Sequence, residues 1–140
     1  MSDLLKLIVP GKPEYVGTVR LTLSSLASSV GFDIEAIEDI KVAVSEACTN
    51  IIRHAHEGEE YNYGVTCEVE DGKITISVED DGRGYDVGQY EEPDLDEINE
   101  GGLGIFIIKA LMDEVSITSE VGVGTHIKMT KTTRSAVALG

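Results

Sequence analysis

Cysteine is scarce in this sequence, and so is positive charge. The two cysteines, Cys48 and Cys67, share no CxxC spacing, which excludes a disulfide framework and a paired-cysteine zinc site. Lys and Arg number 11 against 26 Asp and Glu, for a formal net charge of −15. That lacks the basic face with which nucleic-acid binders meet phosphates, so no direct nucleic-acid contact is expected. No apolar run approaches the roughly 20 residues of a membrane span. The start, "MSDLLKLIVPGKPEY", has no basic leader followed by an apolar stretch, so no secretory signal is expected and a reduced cytoplasm is the default. Also missing are GxxxxGK[ST], HRD, DFG, HExxH and G-x-S-x-G, which sets aside P-loop enzymes, eukaryotic-type kinases, zincins and nucleophile-elbow hydrolases.

What is present is ordinary globular material. Hydrophobic residues make up 41% of the 140 residues and charged ones 26%, so a single domain over 1–140 with a real core is expected. The acidity keeps the chain soluble, and it also suits a basic protein partner reached by electrostatic steering.

Leu4 to Val9 reads as a strand closed by Pro10-Gly11. Tyr15 to Val30 reads as a helix started near Pro13 and ended by Gly31. Asp33 caps a longer helix to about His56, with Ile37, Ile40, Val44, Ala47 and Ile51 on one stripe. Two strands joined at Asp71-Gly72 follow. Leu103 to Met112 reads as a helix, Val115 to Glu120 and Thr125 to Thr130 as a second strand pair, and the segment from 131 as a loose tail. The order strand, two helices, two strands, helix, two strands predicts an α+β two-layer sandwich, with helices on one face of a mixed sheet.

Four stretches stand out. In "SEACTNIIRHA" a carboxylate and a carboxamide sit one helical turn apart. At 100° per residue, Asn50 falls about 40° and Arg53 about −20° from Glu46, away from an apolar stripe centred near about 140°. An Asn inside a helix competes for backbone hydrogen bonds and is out of place unless it has a task. With small Ala43 between them, Glu46 and Asn50 suit Mg²⁺ with its waters, or a base beside a metal. In "VEDDGRGYD" a strand ends in Asp80-Asp81, where a carboxylate can accept from an exocyclic amine and Gly82 and Gly84 admit a flat ring; a turn of acidic polarity is the plainer alternative. In "EGGLGIFIIKALMDEV" the glycines Gly101, Gly102 and Gly104 open a helix whose free N–H groups can face an anion, or serve only as a hinge. In "SEVGVGTHIKM", Gly122 and Gly124 read first as a hairpin turn, with the Thr125 hydroxyl at the strand start.

Taken in order, "EACTNIIRHA", "DDGRG", "GGLG" and "GVGTHI" resemble the four nucleotide-binding boxes of the GHKL, or Bergerat-fold, ATP-binding superfamily. "PEYVGTVRLTLS", "IEDIKVAVSEACTN" and "GGLGIFIIKALMDEV" resemble the bacterial anti-sigma serine-protein kinases of the RsbW type, over about Leu4 to Thr130. The resemblance implies the histidine-kinase-like ATPase fold and an ATP-dependent serine/threonine kinase. Its acceptor would be a STAS-type anti-anti-sigma protein, and in its other state it would sequester a sigma factor. The alternative is a non-catalytic, ATP-switched sigma-binding module. Carried over by position, Glu46 would be the catalytic base and Asn50 the Mg²⁺ holder. His54, Asp80, Gly82, Gly84, Gly101, Gly102, Leu103, Gly104 and Thr125 would complete the ATP site, and Arg20 would touch a partner. A homodimer is also implied. Asp86 to Glu100 carries seven acids and no base, and is expected to form a lid that is mobile without nucleotide.

Overall fold

The computed structural model describes residues 2–53, 60–80, 100–120 and 124–133, with the backbone alone at 100–102 and 120. The chain runs β1 (Asp3–Pro10), a 3₁₀ turn (Pro13–Tyr15), α1 (Val16–Val30), α2 (Ile34–Arg53), β2 (Asn62–Glu70), β3 (Lys73–Glu79), α3 (Glu100–Leu111), β4 (Glu114–Glu120) and β5 (Gly124–Thr132). The five strands form one sheet in the order β1-β2-β3-β5-β4, and the helices pack on one of its faces, α2 between α1 and α3. The expected α+β two-layer sandwich is the architecture found.

Local chemistry explains the element boundaries. Pro13 begins the 3₁₀ turn that leads into α1, where its missing N–H and fixed φ cost nothing. At the other end of α1, Gly31 takes φ 103°, its N–H donates to Ser28, and the Phe32 N–H reaches back to Ala27. This paired closure needs a left-handed residue, hence glycine. The Asp33 carboxylate accepts the Ala36 N–H at 2.8 Å, capping α2 as the sequence predicts. Of the expected α2 stripe, Ile40, Val44, Ala47 and Ile51 are buried, and Ile37 packs partly against the same core. The sheet contributes alternate residues: Val65 and Cys67 from β2, Ile74, Ile76 and Val78 from β3, Ile127 and Met129 from β5.

One detail of the expected sheet is corrected. It is not mixed: every pairing is antiparallel. The crossover β3-α3-β4 does return a strand parallel to β3, as a helical connection does. However, β5 folds back between the two and pairs with both, so no adjacent pair is parallel.

The expected loose tail does not begin at 131. Lys131 and Thr132 belong to β5, paired with Ile74 and Lys73. The Lys131 Nζ donates to the Leu111 carbonyl at 2.6 Å and pairs with Asp39 at 3.6 Å, tying the C-terminal end of α3 to the N-terminal half of α2. Residues 134–140, His54, Gly82, Gly84, Gly122 and the acidic segment 86–99 lie outside the described residues.

Both cysteines are buried and unbridged. Burial pushes the Cys48 thiol from 9.0 up to about 11, the Tyr63 hydroxyl offsetting this in part, and burial pushes Cys67 up to about 12. In the unfolded chain both would ionise near their ordinary value, so above it the unfolded state holds fewer protons. The thiols' contribution is therefore intact below pH 9 and is lost as pH rises from 9.0 towards 11 and 12. Each thiol should lower stability by about 1.4 kcal/mol per pH unit within that window. Urea unfolding between pH 8 and 11 should show this fall, with a shallower slope in Cys48→Ala and Cys67→Ala. A flat profile would contradict it.

Candidate functional site

One end of the sandwich gathers the polar residues that the core does not need. The chain leaves α2 at Arg53 and enters β2 at Asn62, at the same end of the sheet where β3 finishes. Here β3 stops at Glu79, β5 begins at Gly124, and α3 starts above them.

On α2, Asn50 is only 2% exposed. Neither its amide nitrogen nor its amide oxygen has a hydrogen-bond partner among the described residues. Leaving such a group unpaired in a core costs about 1–3 kcal/mol, so the position is unfavourable for folding alone. Glu46, one turn earlier, is half-buried and faces α3. A Cβ added to Gly104 would lie 2.8 Å from the Glu46 Oε2. A side chain there would have to displace the carboxylate, which is the movable end of the glutamate.

The helix α3 therefore runs antiparallel to α2: its N-terminal end meets Glu46, and its last carbonyl meets Lys131 beside Asp39. The expected glycines open this helix from within. It begins at Glu100, so Gly101 and Gly102 supply first-turn N–H groups without an intrahelical acceptor, and Leu103 and Gly104 follow them. The exposed N–H groups and the positive dipole end favour an anion at this point.

Substituting Gly104 tests the packing. Ala is the better helix former by about 0.5–1 kcal/mol, so Gly104→Ala should melt no lower than wild type. Its methyl group must nevertheless displace the Glu46 carboxylate. Phosphoryl transfer should fall about tenfold, measured as initial rate at saturating ATP. An unchanged rate would show that Glu46 works in a different position from the one seen here.

The sheet supplies the other wall. Asp80 is 8% exposed and Thr125 2%, and they lie directly across from each other. The Asp80 N–H donates to the Thr125 carbonyl at 3.0 Å, and the Thr125 N–H donates to Asp80 Oδ1 at 3.0 Å. A carboxylate holds about four acceptor positions, so it can serve more than one donor. The Thr125 hydroxyl is 2.7 Å from that of Ser119 on β4, a residue the sequence reading did not single out. Serine in a strand is unremarked until register puts it opposite Thr125.

Away from this end, Arg20 of α1 is exposed and its Nη1 donates to the Ser45 hydroxyl at 3.4 Å, while Ser45 donates to the Lys41 carbonyl at 2.8 Å. Arg20 thus lies beside α2, on the outer surface of the helix layer, apart from the Asp80–Thr125 pair.

The donor set fits a nucleotide with its magnesium. Mg²⁺ keeps most of its waters and takes one or two protein oxygens plus phosphates, rather than a protein cage. No group of three or more His, Cys, Asp or Glu that could hold a metal exists among the described residues. Among the described residues, the orphaned Asn50 amide is one group that could hold it.

A family model described as a histidine kinase-like ATPase domain matches residues 9–131, so the fold and the site define a protein of that class. The chain is 42% identical over 140 residues to a serine-protein kinase RsbW of Bacillus pumilus, covering 92% of this chain and 85% of the relative. It is 38% identical over 139 residues to that of Bacillus subtilis, covering 93% and 86%, and 45% identical over 133 residues to that of Oceanobacillus iheyensis, covering 86% and 82%. The chain belongs to the RsbW-type serine-protein kinases of the histidine kinase-like ATPase family.

A solved structure of the RsbU and RsbW domains of a Mycobacterium tuberculosis protein superposes with a TM-score of 0.70 at 24% identity, over 93% of this chain and 32% of that one. A histidine kinase domain from Erythrobacter litoralis gives a TM-score of 0.56 at 23% identity, over 91% and 63%. At these identities the likeness is one of fold. No helix among the described residues is long and apolar enough to cross a membrane.

Proposed function

We propose that this protein uses ATP to phosphorylate a serine or threonine of a small STAS-type anti-anti-sigma protein, and that in its other state it binds a sigma factor and keeps it from polymerase. The observation that carries this is the buried Asn50 amide with no partner among the described residues, one helical turn from a carboxylate against a glycine of α3. Its membership of a serine-protein kinase family directs that chemistry towards a protein hydroxyl.

In this reading Asn50 holds Mg²⁺ through its amide oxygen. Glu46 accepts the proton of the acceptor hydroxyl as that oxygen attacks. The start of α3 at Gly101, Gly102, Leu103 and Gly104 holds the phosphates, through the free N–H groups of its first turn and the helix dipole behind them. Asp80 accepts from the adenine amine, and Thr125 supports the same edge of the ring. His54, Gly82 and Gly84 complete the pocket. Bound MgATP supplies the phosphoryl group and the charge neutralisation that its transfer needs. Arg20, fixed against Ser45 on the outer face of the helices, contacts a protein partner. The protein works as a cytoplasmic homodimer, and its acidity favours the basic surface of a sigma factor.

Incubation with labelled ATP and each candidate acceptor from the same genome, followed by sigma-factor capture with ATP or ADP, tests the proposal. Transfer to one acceptor together with nucleotide-dependent capture supports it. Capture without transfer would instead make the protein an ATP-switched binding module.

A further inference from the structure

The polar residues at the end of the sheet form a row across three strands. Asp80 directly follows β3, Thr125 near the start of β5 is bonded to it, and Ser119 of β4 is the registered partner of Thr125. Two 3.0 Å bonds tie Asp80 to Thr125: the Asp80 N–H donates to the Thr125 carbonyl, and the Thr125 N–H donates to the Asp80 carboxylate. The hydroxyl of Thr125 is different: it rotates, and it carries one proton that can point either way. On the β4 side, the Ser119 hydroxyl lies 2.7 Å from it, close enough to set that rotation.

From this geometry we infer that Ser119 is a positioning residue for base selection: it donates into the Thr125 oxygen and so turns the Thr125 proton away from β4 into the site. The row then presents an acceptor, the Asp80 carboxylate, beside a donor, the Thr125 O–H. That pattern complements a six-membered purine edge carrying an exocyclic amine next to an unprotonated ring nitrogen, which is adenine. Guanine offers the reverse order, a carbonyl oxygen next to a ring N–H, and meets acceptor with acceptor and donor with donor. The inference rests on the proposed adenine side of Asp80 and Thr125. What it adds is that the discrimination depends on a residue that does not touch the base.

The test is calorimetric titration of the full chain, as wild type, Ser119→Ala and Ser119→Thr, with MgATP and with MgGTP, alongside kcat and KM for transfer and a thermal melt. In Ser119→Ala the Thr125 hydroxyl rotates freely. ATP affinity should fall about fivefold, the value of one modest hydrogen bond, with GTP affinity unchanged, so the preference shrinks by the same factor. KM for ATP should rise with kcat unchanged. Ser119→Thr keeps the donor and should restore the wild-type ratio. A merely structural serine would weaken both nucleotides alike and lower the melting temperature, and that result overturns the inference. So does a wild-type ratio in Ser119→Ala, or a failure of Ser119→Thr to restore it. Wild-type protein that takes up neither nucleotide overturns the proposed function itself, and is distinguished from these outcomes because it needs no variant.

Discussion

Glu46→Gln is expected to lower phosphoryl transfer about a thousandfold while leaving MgATP affinity and melting temperature near wild type. The glutamine has the shape of the glutamate, so the close approach of Gly104 is preserved and α3 need not move. What disappears is the ability to take a proton. A positioned general base contributes about 10²–10⁴ in rate, and the first-turn N–H groups of α3 and Asn50 are untouched, so nucleotide binding persists. The variant therefore separates two activities: it should still capture a sigma factor with ATP bound, yet fail to modify the acceptor. Single-turnover transfer with labelled ATP is the measurement. A variant that transfers at the wild-type rate would remove Glu46 from the base role. A variant that loses ATP as well would make Glu46 a binding residue instead.

How much of this site could be read in the sequence depends on the range of the interactions involved. The stripe Ile40, Val44, Ala47, Ile51 was legible because a 3.6-residue period is a local property, and all four are buried. The caps at Gly31 and Asp33 and the turn at Asp71-Gly72 were legible for the same reason: each depends on residues within a few positions. Glu46 and Asn50 could be suspected from helical spacing alone, since an amide inside a helix contradicts its own preference.

The insertion of β5 between β3 and β4 was not legible, because strand order is set by contacts between distant segments. The end of β5 was also hidden. After Ile127 and Met129 the alternation reaches Lys131, whose charge carries no signal of a buried strand position. In the fold its side chain is only 13% exposed, the aliphatic stem lying along the protein while the ammonium reaches the end of α3. Ser119 carries no sequence signal, since its partner is fixed only once β4 and β5 are in register. The closeness of Gly104 to Glu46 is likewise a product of helix packing: the sequence marks the glycine as part of a helix start, whereas its missing side chain matters only once α2 and α3 are in contact.

Asn50→Leu should make the protein more stable and unable to hold MgATP. Leucine branches at the same carbon as asparagine and has nearly its shape, so the buried space remains filled. It replaces two polar atoms that have no partner among the described residues with two methyl groups, and it is the better helix former. Relief of one unpaired buried amide is worth about 1–3 kcal/mol, so a gain of about 2 kcal/mol is expected in urea unfolding without nucleotide. The same change deletes the oxygen proposed to hold Mg²⁺, and affinity for MgATP should fall more than a hundredfold by calorimetry. The two signs together make the test sharp. A residue retained for packing would lose stability on substitution, whereas a residue retained against the interest of the fold should give stability back when its ligand role is removed. If Asn50→Leu is instead destabilised and still binds MgATP with wild-type affinity, the buried amide is structural and the cation must be held elsewhere.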